Sequence, residues 1–125
     1  EDMKARYDLS LVFISHDLSV VRNVSDRVVV MYLGKLCEVG DADRLYEAPA
    51  HPYTRALLAS APEPAQSVGV ADAVLGDDLP SPTDPPSGCR FRTRCPLAID
   101  RCASEEPLMQ QINEDHFVAC HLPFT

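Results

Sequence analysis

The feature that most constrains this chain is an apolar run close to its start. Leu9-Ser10-Leu11-Val12-Phe13-Ile14-Ser15 carries apolar side chains at consecutive positions, without the alternation of a half-exposed strand. A strand of that kind has no face to give to water. It belongs in the middle of a parallel-type sheet with helices over both faces. The residues that follow cannot supply two flanking strands and two helical layers, so a partner sheet is expected upstream of Glu1.

Ser15-His16-Asp17 suits a helix start, and Leu18, Val21 and Val24 then space out a short amphipathic helix. Asp26-Arg27-Val28-Val29-Val30-Met31-Tyr32-Leu33 is rich in β-branched residues and reads as a strand. Gly34-Lys35 is a turn signal, and Leu36-Cys37-Glu38-Val39-Gly40 reads as the return strand of a hairpin. Asp41 is a good N-cap for a helix over residues 42–48, which Pro49 stops. Pro52 opens a second helix that runs to residue 61. Residues 1–61 therefore read as α/β. Residues 62–87 hold Pro62, Pro64, Pro80, Pro82, Pro85 and Pro86 and read as an extended linker. Residues 88–125 have too few aliphatic side chains for a core of their own and need a staple or a docking surface.

Hydrophobic residues are 46% of the chain but aromatics only 6%, with no Trp, so the core must be mainly aliphatic. The net charge of -8 would repel a phosphate backbone, which excludes nucleic acid as a general partner. No apolar run approaches the roughly 18 residues of a membrane span. Glu1-Asp2-Met3-Lys4 does not open a signal peptide, and the chain is expected to stay in the cytoplasm. Its five Cys then read as free thiols or metal ligands rather than disulfides.

Two constellations carry chemistry. His16 falls where the apolar strand would hand over to a helix, at the sheet edge where ligands bind in open α/β folds. It could donate to a phosphate oxygen or hold an attacking water, or simply cap the helix with no ligand. A Ser15/His16/Asp17 hydrolase triad is excluded, because three consecutive side chains at a strand end point apart. The second constellation is Cys89-x5-Cys95-x6-Cys102-x17-Cys120. Four thiolates can close around one metal centre, but this is neither a zinc-ribbon nor a bacterial ferredoxin spacing. Spacing alone leaves a metal site and free thiols both open. Arg90, Arg92, Arg94 and Arg101 would favour thiolate and offset an anionic cluster. Cys37 is expected to be a small buried apolar group, His51 a helix-start residue, and His116, after Glu114-Asp115, to face solvent.

Several blocks, in order, carry a family resemblance. Leu11-Val12-Phe13-Ile14-Ser15-His16-Asp17-Leu18 resembles the switch segment of ABC ATPases, and residues 26–40 resemble the hairpin that follows it. His51-Pro52-Tyr53-Thr54-Arg55-Ala56-Leu57-Leu58 is similar to the "HPYT" block of the oligopeptide/dipeptide branch. Pro85-Pro86-Ser87-Gly88-Cys89-Arg90-Phe91-Arg92-Thr93-Arg94-Cys95-Pro96 and Val118-Ala119-Cys120-His121 are similar to its Cys blocks. The chain thus resembles the C-terminal part of the ATP-binding subunit of the oligopeptide/dipeptide ABC transporter family. The resemblance implies the C-terminal part of a P-loop NTPase (ABC ATPase) core plus a Cys-containing, loop-rich extension. It implies that His16 acts catalytically as the sensor of the ATP γ-phosphate, with Mg2+ on the nucleotide. It implies a [4Fe-4S] cluster on Cys89, Cys95, Cys102 and Cys120, with His121 nearby and Zn2+ as the alternative metal. It further implies a second ATPase subunit, transmembrane permease subunits and, indirectly, an extracytoplasmic solute-binding protein as partners. Peptide import would then be driven from the cytoplasmic face of the membrane. A Gly-rich P-loop, an ABC signature and a Walker B carboxylate are absent from these residues, so the 125-residue chain alone is expected not to hydrolyse ATP. An autonomous metal-binding interaction module with no nucleotide role remains the rival reading.

Overall fold

The computed structural model describes residues 2–61, Gly76 and residues 79–125. Its helices are α1 (Asp2–Tyr7), α2 (Leu18–Val24), α3 (Ala42–Glu47), α4 (Pro52–Ser60) and α5 (Asp100–Ser104). Its strands are β1 (Arg27–Tyr32), β2 (Lys35–Asp41), β3 (Gln110–Asn113) and β4 (His116–Val118). They form one sheet in the order β1-β2-β4-β3, with every neighbouring pair antiparallel.

The β1–β2 hairpin organises this sheet. Its connection is Leu33-Gly34, both at positive φ (46° and 76°), the backbone twist that a two-residue hairpin turn requires. The turn falls one residue before the expected Gly34-Lys35, because Lys35 already pairs with Tyr32. The register shifts between Val30 and Met31, which leaves Cys37 with no residue opposite it. The helix starts follow the sequence closely. Asp17 Oδ1 accepts from the amides of Ser19 and Val20, and Asp41 Oδ1 accepts from Arg44 N at 3.2 Å. His51 caps α4, with Pro52 in its first turn.

The strand expected over residues 9–15 is not formed. That stretch is irregular and exposed, with Val12 97% and Ile14 96% accessible. A strand is held by ladder hydrogen bonds from its neighbours, and among the described residues no strand pairs with this one. The sheet that does form is antiparallel rather than parallel, and it is built from the hairpin and the Cys-containing segment. Most of the expected linker, residues 62–75 with 77 and 78, lies outside the described residues.

Two small clusters make the core. Val28, Ala42 and Leu45 pack together, with Val21, Val30 and Tyr46 around them. Full burial of a side chain such as Leu45 contributes about 2 kcal/mol. Tyr32, Cys37 and Phe91 form the second cluster. Phe91 comes from the Cys-containing segment and meets Tyr32 edge-on at 5.2 Å and Tyr53 at 5.3 Å between ring centroids. This aromatic anchor, together with β4 against β2, is the docking surface that residues 88–125 lack by themselves.

Candidate functional site

Cys89, Cys95, Cys102 and Cys120 line one pocket, walled further by Phe91, Leu122, His51 and His121. Four different pieces of backbone bring them there. Gly88 sets the first: it lies at φ +65°, and a Cβ on it would stand 2.3 Å from the carbonyl oxygen of Cys102. Only glycine permits that approach. It lets Cys89 N donate to Cys102 O at 2.8 Å, which joins two of the four Cys directly. Cys95 sits in a turn, its carbonyl accepting from Ala98 N at 3.3 Å, and Cys102 lies on α5. Cys120 follows β4, and the neighbouring Ala119 N donates to Cys37 O at 2.8 Å. His121 Nε2 lies 2.9 Å from Glu105 O, at the end of α5.

The donor set suits a thiolate-bound centre, but the thiols do not converge on a single point. Among the described residues, no three His, Cys, Asp or Glu stand as the ligands of one metal ion would. Burial pushes Cys120 up to about 11 and raises Cys89 and Cys95 as well, and neighbouring thiols add to each shift. The arginines do not overcome this, contrary to the expectation that they would favour thiolate. Arg90 Nη1 donates to Leu33 O, Arg94 Nη2 donates to Gly76 O at 2.9 Å, and Arg101 forms a forked pair with Glu105 at 2.7 and 2.9 Å. Their charge is spent on bracing backbone and a neighbouring carboxylate. Arg92 alone of the four lines the pocket. Cys37 is buried as expected, and burial pushes its thiol up to about 12.

The other histidines divide. His51 is buried and its Nδ1 accepts from Tyr53 N at 3.0 Å, so its ring cannot take a proton there without losing the cap. Burial lowers its pKa to about 4, against the opposing pull of Glu38. The unfolded chain, with His near 6.5, therefore binds more protons than the folded one between those values, and stability falls as pH falls through that window. The expected loss from His51 between pH 7 and pH 4 is about 3 kcal/mol. Urea unfolding at both pH values measures it, and His51→Asn, which keeps a capping acceptor without titrating, should flatten the difference. An unchanged slope in that variant would remove His51 as its source.

His116 does not face solvent. It is 3% exposed, with Nε2 2.6 Å from Glu38 Oε1. Its acidic flank, Glu114-Asp115, belongs to the turn before β4. Neither Glu38 nor His116 was identifiable as a site residue from composition. The available signal was a lone carboxylate inside the apolar return strand, followed two residues later by Gly40.

His16 is exposed and directly precedes Asp17, which does the capping of α2. Asp17 N donates to Ser15 Oγ at 3.0 Å, so Ser15 and Asp17 both serve backbone amides. His16 is not among the residues lining the Cys pocket.

Residues 37–102 match the family model described as the oligopeptide/dipeptide transporter, C-terminal region. A putative peptide import ATP-binding protein of Brucella ovis is 49% identical over 119 residues, covering 95% of this chain and 38% of the relative. The oligopeptide transport ATP-binding protein AppF of Bacillus subtilis is 50% identical over 124 residues, covering 98% and 38%. A putative oligopeptide transport ATP-binding protein of the same organism, YkfD, is 49% identical over 116 residues, covering 91% and 35%. The chain thus spans less than two fifths of the length of these relatives. The match runs from Cys37 on the return strand to Cys102 in the pocket wall, and by it the chain belongs to the oligopeptide/dipeptide transporter C-terminal region family.

Proposed function

We propose that this chain is part of the ATP-hydrolysing subunit of an ABC importer that energises uptake of oligopeptides, dipeptides or related solutes. The observation that carries the reading is a family match that runs within one chain from Cys37 on the return strand of the hairpin to Cys102 in the Cys segment. In this reading residues 1–61 are the C-terminal part of the ATPase core, residues 62–87 a Pro-rich linker, and residues 88–125 the Cys extension. The full subunit would use ATP with Mg2+, pair with a second ATPase subunit, and sit on the cytoplasmic face against transmembrane permease subunits. A solute-binding protein would act through those permeases. No helix among the described residues is long and apolar enough to cross a membrane. His16 would contact the γ-phosphate.

The reading extends to a [4Fe-4S] cluster on Cys89, Cys95, Cys102 and Cys120. When bound there, such a centre would take thiolate donors, and Zn2+ is the alternative metal for the same four side chains. What supports this part of the reading is the donor set itself, four Cys lining one pocket. When bound, the centre would cross-link four backbone segments that have little aliphatic core between them.

Calorimetry with ATP and Mg2+ tests the central claim. The full-length protein should bind at micromolar affinity, and residues 1–125 alone should not. A full-length protein without nucleotide affinity would overturn the reading and leave the metal-binding interaction module in its place. Micromolar binding by residues 1–125 would overturn the assignment of the nucleotide site to a longer chain.

A further inference from the structure

Glu38 is 0% exposed, in the middle of β2, and three donors surround its carboxylate. Oε1 accepts from Ala50 N at 2.8 Å and lies 2.6 Å from His116 Nε2, while Oε2 accepts from His51 N at 2.9 Å. A buried carboxylate held by two amides and an imidazole N–H is fully paired, and charge-assisted bonds of this kind are the strong ones. The surrounding chain makes room for it. A Cβ on Gly40 would stand 3.2 Å from His116 Cδ2, so glycine there leaves space for the ring.

The three donors lead to two walls of the Cys pocket. Ala50 and His51 enter α4, and His51 and Pro52 line the pocket. His116 opens β4, which delivers Cys120. A second bond, from Phe124 N to Ala50 O at 2.9 Å, closes the same circuit beyond Cys120. We propose that Glu38 is the positioning residue of the four-Cys site, its buried carboxylate tying the α4 wall to the Cys120 wall. The proposal rests on the reading of those four Cys as ligands. Glutamine at this position would turn an NH2 group toward an amide or imidazole donor, so one wall would be pushed away with little change in side-chain volume.

The test uses the full-length protein as wild type, Glu38→Gln, and Leu45→Ala as a destabilised control from the other core cluster. Two quantities are read. One is the alkylation rate of each Cys in metal-free protein, resolved by mass spectrometry. The other is the visible chromophore after anaerobic reconstitution with ferrous iron and sulfide, and its rate of loss to a chelator. Glu38→Gln should speed both Cys120 alkylation and chromophore loss by about tenfold or more. Leu45→Ala, which shares no partner with the network, should leave Cys120 within about threefold of wild type. An equal rise in both variants, or none in Glu38→Gln, overturns the proposal. If Glu38→Gln does not fold, His116→Gln, which keeps both amide contacts, is read on the same scale. A wild type that takes up neither iron nor zinc defeats the cluster reading, and the alkylation ratios still decide the role of Glu38.

Discussion

Replacing His16 by alanine in the full-length subunit is expected to lower ATP turnover by about 100-fold or more while leaving ATP affinity nearly unchanged. The asymmetry follows from where a γ-phosphate contact acts. Charge on the phosphoryl oxygens is redistributed as the bond to the leaving group breaks, and a donor aimed at those oxygens gains strength in the transition state. Loss of that donor appears in kcat and hardly at all in ground-state binding. His16 is free for this role locally, because Asp17 caps α2 and Ser15 Oγ accepts from the Asp17 amide. Single-turnover kinetics beside equilibrium nucleotide binding separates the two quantities. Unchanged turnover would make His16 an ordinary exposed residue ahead of a helix.

Serine in place of any one of Cys89, Cys95, Cys102 or Cys120 should abolish the brown chromophore of anaerobically prepared protein, whereas Cys37→Ser should keep it. The difference between five chemically identical side chains lies in position. Four line one pocket, while Cys37 lies on β2 within the aromatic cluster with Tyr32 and Phe91. Burial raises the thiols of Cys89 and Cys95, and pushes that of Cys120 up to about 11. Metal entry must displace the thiol protons, so uptake should quicken as pH rises toward that range. Elemental analysis distinguishes the remaining cases. Zinc without iron would keep the site and reject the cluster. Neither metal, with all four thiols freely titratable, would reject both.

The parts of this fold that were legible in the sequence are those fixed over a few residues. Asp41 and Pro52 mark helix starts because capping and proline geometry act within one turn of helix. The hairpin was legible because its two strands are joined by two residues, and the error in its turn was a single position. The four Cys were legible as a set, since a thiol is chemically distinctive wherever it lies. What joins them to the hairpin was not. His116 is buried by strand pairing and a carboxylate 78 residues away, and no local pattern encodes such a partner. The apolar run at residues 9–15 is a different case: its partner strands were expected outside these residues, and among the described residues no strand pairs with it. Composition states that side chains need cover but not that a neighbouring strand is present to form the ladder.

The attachment of the Cys segment through β2 and β4 has a consequence for how the chain tolerates change. Those strands meet across a long sequence interval, 78 residues between Glu38 and His116. The entropy of closing a flexible loop rises only with the logarithm of its length, about 0.6 kcal/mol for each doubling. Insertions between α4 and Gly88 should therefore leave the docked segment almost as stable as before. Between His116 and Cys120 the arithmetic reverses. One added residue within β4 turns the strand positions after it to the opposite face, and Cys120, which follows the strand, would be displaced relative to the other three pocket Cys.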